Sequence, residues 1–182
     1  SFDAANGKSY PAGQDPYVNQ VVLMLNGENI VDQSLNQTAI TNNGAVTVSS
    51  VQYKVGQSSL SFAGAGNTSY LNATTTSAIV FGTGDFTIEF WIKNTGTDGT
   101  NDRIYGSYFN NALQIGKSTT HLKLIATDLG GPSSWETVCI LELNAWVHIA
   151  IIRSGTNLKV YKNATLVQTY TVDGVSSLPS FF

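Results

Sequence analysis

Asp85 and Glu89 sit four residues apart in the run FGTGDFTIEFWIK (81–93), with Thr87 between them. From Phe86 the chain alternates: Phe86, Ile88, Phe90 and Ile92 point one way, Thr87, Glu89, Trp91 and Lys93 the other. Alternation rich in aromatic and β-branched residues marks a half-buried strand, read here as the central strand of a sheet. Two carboxylates on one strand face are what glycoside hydrolysis uses as acid and nucleophile. Positions four apart on a strand lie about 13 Å from each other, and only long side chains leaning together reach the ~5.5 Å of a retaining pair. Asp85 is a methylene shorter than Glu, so catalysis is disfavoured.

Other residue types offer little more. His148 lies in WVHIAII and reads as a hydrogen-bonded structural histidine, since no Ser or Cys with a supporting acid accompanies it. His121 is isolated, and two histidines without a cysteine partner make no zinc motif. Cys139, the sole cysteine, sits in TVCILEL and reads as a small buried hydrophobe. The loop DQSLN (32–36) gathers oxygen atoms as a calcium site would. The competing reading, favoured because one carboxylate is too few, is an Asx turn that satisfies nearby amides. No phosphate-cradling glycine motif is present.

Binding is left. Sugars are held by aromatic faces and a few convergent polar groups, and Trp135, Tyr105, Tyr108 and Phe109 lie in or beside polar loops. Taken singly, each is more readily a cap on the open end of a sandwich. Asn-x-Ser/Thr triplets begin at Asn36, Asn67, Asn72 and Asn163, as chance allows in a chain rich in these residues.

The elements that must position these side chains are strands. At 182 residues the chain fits one domain with a sizeable core. Charged residues are only 12%, and a net charge of −3 argues against a nucleic-acid partner. No apolar run is long enough to span a membrane. Residues 1–17 hold two prolines and two glycines without periodicity and read as an arm or linker that packs on a neighbour through Phe2, Tyr10 or Tyr17. The chain opens at Ser1 without a secretory signal, which reads as a processed or incomplete chain. Residues 18–25 form a nearly continuous apolar run, a strand buried on both faces, broken by Asn26-Gly27. Further strands are expected at 45–51 and 58–62, with Leu60 and Phe62 inward. Others follow at 104–115, 121–126, 137–143, 146–153, 158–162 and 166–172. Residues 94–103 read as an exposed, mobile loop. Strands separated by turns every eight to twelve residues indicate a sandwich.

The run GTGDFTIEFW resembles the signature strand of laminin-G-like domains of the concanavalin A-like superfamily. Three more pieces fall in that family's order: VVLMLNGENIVDQS (21–34), QSSLSFAGAGNTSYL (57–71) and WVHIAIIRSGTNLKVYKN (146–163). The resemblance implies an all-β fold, an antiparallel β-sandwich of the jelly-roll type over residues 18–182. It matches His148, two residues after a Trp, and puts Asp85 at the strand mouth, where it hydrogen-bonds the loop. Thr87 replaces the central carboxylate of the superfamily's Glu-x-Asp-x-Glu glycosidases, and Asn163-Ala164 stands where a glycine is usual. The closing strand of the family pattern is missing after Gly174, so the first strand is expected to expose an edge, and residues 1–182 to be oligomeric or part of a longer chain. With DPY before the first strand, the chain looks most like copies in tail and appendage proteins of tailed bacterial viruses. The implied role is a non-catalytic virion or appendage surface module for assembly, decoration or host adhesion, with other virion subunits as partners. The alternative is a carbohydrate-binding module of a secreted enzyme or adhesin, with cell-surface glycans as partners.

Overall fold

The computed structural model describes residues 2–3, 8–9, 17–63, 68–73, 81, 83–96, 102–106 and 113–173. The chain divides into two compact units, Ser1–Gly64 with Thr68–Ile79, and Ala65–Asn67 with Val80–Phe182. The first contains β1 (Phe2–Asp3), β2 (Lys8–Ser9), β3 (Ile40–Asn43), β4 (Val46–Ser49), β5 (Ser59–Phe62) and β6 (Tyr70–Ala73). In the second lie β7 (Phe86–Lys93), β8 (Asp102–Tyr105), β9 (Gln114–Lys117), β10 (His121–Ile125) and β11 (Glu136–Ile140). It ends with β12 (Trp146–Ser154), β13 (Asn157–Lys162) and β14 (Thr165–Thr171). Among the described residues every strand ladder is antiparallel. Among the described residues the helical pieces are 3-10 turns at Val18–Gln20 and Thr127–Leu129.

The second unit is a sandwich of two four-stranded sheets, β14-β13-β12-β7 and β11-β10-β9-β8. Val147, Ile149 and Ile151 of β12 and Leu158 and Val160 of β13 share one core with Ile115 of β9 and Leu122 and Leu124 of β10. Burying each such side chain contributes about 1.5–3 kcal/mol, which is why these positions of both sheets face inward. Phe86 is buried and Ile88, Phe90 and Ile92 pack against the same cluster, so the alternation of β7 points its apolar row into the core. The turn at Asn163-Ala164 puts both residues at positive φ, 48° and 66°, so Asn replaces the usual glycine in a left-handed conformation it tolerates.

Several sequence expectations are corrected. Among the described residues β7 pairs only with β12 and ends its sheet rather than centring it. Its outward row carries Glu89 and Lys93, and such charges are how edge strands avoid further pairing. The expected strand 104–115 is instead the two strands β8 and β9, antiparallel to each other. Asn94, expected in a mobile loop, is buried: its Nδ2 donates to the Thr119 carbonyl at 2.9 Å, and its own carbonyl accepts the Asn144 amide at 2.7 Å. Asp102 and Arg103 of that same loop belong to β8.

In the first unit β3 pairs with β6 and β4 with β5. Phe62, expected inward, is 57% exposed, because it stands at the end of a ladder of only two strands. Residues 18–25 are not a buried strand: a 3-10 turn is followed by extended chain outside any ladder, with Met24 and Leu25 exposed. Three of its backbone groups are held by the loop that follows, the Met24 carbonyl by the Gln33 amide at 2.8 Å. The Val22 carbonyl accepts Ser34 Oγ (3.3 Å) and Asn36 Nδ2 (3.1 Å), and the Met24 amide donates to Asp32 (2.9 Å). Side chains there take the place of ladder partners for Val22 and Met24, and the segment forms no strand. The expected absence of a closing strand concerns residues 174–182, outside those described.

Candidate functional site

The four aromatics expected to hold a sugar fare differently. Tyr108 and Phe109 lie outside the described residues. Tyr105 ends β8, where its ring packs against the core and burial pushes its phenol well above the ordinary range. Arg103, two residues earlier, would normally share its face. The ladder shifts between them, however, so that Arg103 pairs with Gly116 and Tyr105 with Ile115. Such a bulge, with Ile104 as the extra residue, re-aims side chains. It sends Tyr105 to the core beside Ile115 and keeps Arg103 on the other face.

Trp135 is half-buried just before β11 and meets Arg103 there. A methyl in place of the Gly116 hydrogen would stand 2.8 Å from Cη2 and 2.9 Å from Cζ3 of Trp135, so the indole occupies the space that a side chain at 116 would need. The Arg103 guanidinium carbon is 6.0 Å from the indole centroid, within cation–π range. Its Nε donates to Gln114 Oε1 at 3.0 Å, which fixes the guanidinium. Strand register extends the row: Gly116 pairs with Lys123, and Lys123 with Thr137. Arg103, Gly116, Lys123 and Thr137 therefore cross β8, β9, β10 and β11 in line. At about 4.8 Å between strands, the two cationic residues stand roughly 10 Å apart at the backbone. An indole bedded on glycine between two cations can stack on a sugar's C–H face and donate to its oxygens.

Sequence reasoning names Trp135 as a candidate and passes over the residues around it. Arg103 was read as loop and Lys123 as an ordinary strand residue. A legible signal was Gly116 in a strand pattern, since glycine there often marks the close approach of another group.

The carboxylates of β7 have separate neighbours. Asp85 Oδ1 accepts the Gly155 amide at 2.8 Å, as expected for a residue that fastens a turn at the strand mouth. Glu89 Oε2 lies 3.7 Å from His148 Nε2. Burial holds the His148 pKa below its ordinary 6.5, so at neutral pH the ring is uncharged beside Glu89. The ring also tilts against Trp91 at 5.1 Å, and the His148 amide donates to Asn163 Oδ1 at 2.9 Å, a structural placement. His121 Nδ1 is 2.9 Å from Thr120 Oγ1. Cys139 is half-buried and burial raises its thiol pKa, as for an inert core cysteine.

Asp32 in the first unit is 2% exposed. Burial alone would raise its pKa, but the amides of Met24, Ser34 and Thr38 and the Ser34 hydroxyl bring it below the ordinary 3.8. Its Oδ1 accepts the Met24 and Ser34 amides, and its Oδ2 the Ser34 hydroxyl and the Thr38 amide, all at 2.8–2.9 Å. Calcium would have to displace those donors, so this loop is the Asx turn and does not fit the cation. Among the described residues no group of three His, Cys, Asp or Glu side chains is placed to hold a metal.

The model of the concanavalin A-like lectin/glucanases superfamily matches residues 65–181. No curated protein matches the sequence. Among solved structures, the binding domain of Paraclostridial Mosquitocidal Protein 1 superposes with a TM-score of 0.63 at 16% identity, over 85% of this chain and 40% of that one. The binding domain of Botulinum Neurotoxin DC in complex with SialylT gives 0.64 at 15% identity, over 90% and 42%. That of serotype G gives 0.63 at 13%, over 83% and 39%. The chain thus spans about two fifths of these neighbours' length. At such identities the likeness is one of fold. With the family model matching well over half the residues, the chain belongs to the concanavalin A-like lectin/glucanases superfamily.

Proposed function

We propose that this domain is a non-catalytic adhesion module that holds a carbohydrate on the β8–β11 sheet, with Trp135 as the stacking platform. The observation that carries the reading is the Trp135 indole bedded on Gly116 beside the Arg103 guanidinium. Support also comes from the solved neighbours, which are binding domains, one of them in complex with SialylT. Thr87 between Asp85 and Glu89, and the engagement of Asp85 by Gly155, favour binding without turnover. A setting on an appendage of a bacterial virus, where host adhesion would be the use of such a module, rests on the sequence resemblance.

A glycan array probed with the 182-residue chain and its Trp135→Ala variant tests this. Binding to a subset of glycans that disappears in the variant is expected. Binding that survives the substitution, or no binding at all, overturns the proposal.

A further inference from the structure

Gln114 is 1% exposed, although it does not face the sandwich core. Its strand neighbour Ile115 belongs to that core, so Gln114 lies on the opposite face of β9, the face of Gly116. Gly116 pairs with Arg103, which makes this the face of the guanidinium as well. A buried amide must keep its hydrogen-bond partners, whereas an apolar side chain of the same length would fill the space without that demand. Close backbone packing holds Gln114 in place. Gly106, at φ 113°, permits the approach: a methyl there would stand 3.0 Å from Gln114 Cα and 3.2 Å from its Cγ. From this fixed root the Gln114 Oε1 accepts Arg103 Nε at 3.0 Å. Nε is the innermost guanidinium nitrogen, so a bond made there sets the plane of the group and leaves its outer edge to other partners. The guanidinium carbon in turn stands 6.0 Å from the centroid of the Trp135 indole. A buried amide, a cation and an aromatic ring thus stand in series.

We infer that Gln114 is a positioning residue of the saccharide platform: by setting the plane of the Arg103 guanidinium it sets the tilt of the Trp135 indole on which the sugar stacks. The inference rests on the carbohydrate reading above and adds the residue beneath that site. At 1% exposure Gln114 cannot touch a ligand itself, so its effect passes through Arg103. Three features lead to it. Arginine stacks on an aromatic face through a planar group, so the plane of the guanidinium bears on the plane of the ring. The indole already rests on Gly116 from one side, and the guanidinium bounds it from another. A surface ordered before the ligand arrives loses less freedom on binding, and buried hydrogen bonds behind a site are what keep its contact groups in place.

The test removes the acceptor and keeps the length of the side chain. Gln114→Met in the full chain is expected to shift the part of the tryptophan emission that Trp135→Ala abolishes and to make it easier for acrylamide to quench. On the glycan array, titrated with protein, binding is expected to weaken about tenfold, the loss of one charge-assisted hydrogen bond. Gln114→Glu, which keeps an acceptor oxygen at the same reach, is expected to retain the natural emission and binding. Gln114→Met placed on Arg103→Met is expected to add nothing further, because the two residues act in series. Natural emission and binding in Gln114→Met overturn the inference and leave the carbohydrate reading standing. A full additional loss in the double variant overturns it too, as does a Gln114→Glu chain that behaves like Gln114→Met. Should Gln114→Met fail to fold, Arg103→Lys serves instead: it keeps the charge but has no plane to set, so the same emission shift is expected, and natural emission overturns the inference. A blank array overturns the carbohydrate reading, while the emission and quenching measurements still decide whether Gln114 sets the indole.

Discussion

The β7–β12 ladder and the β8–β11 sheet are built from similar residues, yet only one of them follows its own alternation throughout. Between β7 and β12, pairs run from Phe86↔Arg153 to Lys93↔Trp146 without a shift in register. Every side chain there faces the way the sequence pattern says, and the residues that look like chemistry, Glu89 and His148, lie beside each other at 3.7 Å. In the other sheet the register slips between Arg103 and Tyr105 and again between Leu122 and Lys123. That is where an indole, a glycine and two cations come together. Regular pairing maximises core burial and makes a strand predictable, whereas a bulge re-aims side chains and so brings together residues that period-two reasoning keeps apart.

Breaking the regular ladder should have the largest effect. Ile149 is fully buried opposite Phe90, so Ile149→Ala should cost about 2–5 kcal/mol in urea unfolding. Thr87→Ala, on the exposed face of the same ladder, should stay within about 0.5 kcal/mol. Equal costs would show that the register is wrong.

Gly116→Ala should come next. Its methyl would meet the Trp135 ring and stand 2.9 Å from the Asp102 carbonyl, backbone that cannot swing aside. A loss of about 1–3 kcal/mol is expected, as for overpacking, with a changed tryptophan fluorescence spectrum and lost glycan binding. An unchanged spectrum would mean that the indole does not rest there.

Asp32, outside both sheets, offers a control with a pH signature. Its folded pKa lies below the ordinary 3.8, so the stability it confers is complete above that value and is lost as pH falls through the lower folded one. Asp32→Asn should lower the thermal midpoint at pH 6, with the gap from the natural chain closing as the medium becomes more acidic. A gap independent of pH would rule out the charged carboxylate as the hub of that turn. Smallest of all is Glu89→Gln. No reducing ends should appear when either form is incubated with β-glucans or bacterial polysaccharides, and turnover abolished by this substitution would restore the catalytic reading.

Alternation in residues 86–93 sufficed to place Phe86, Ile88, Phe90 and Ile92 on the core face, because burial is decided residue by residue along a regular strand. The left-handed turn at Asn163 was legible for the same local reason. The run at 18–25 was misread because its apolar composition says nothing about which groups will satisfy its backbone, and a loop fourteen residues on supplied them through Ser34 and Asn36. Edge position for β7 depended on which strands found partners, a long-range matter. The proposed site needed the tertiary structure most. Arg103, Gly116, Lys123 and Trp135 are scattered over more than thirty residues, and only two slips of register and the missing side chain of a glycine bring them to one face.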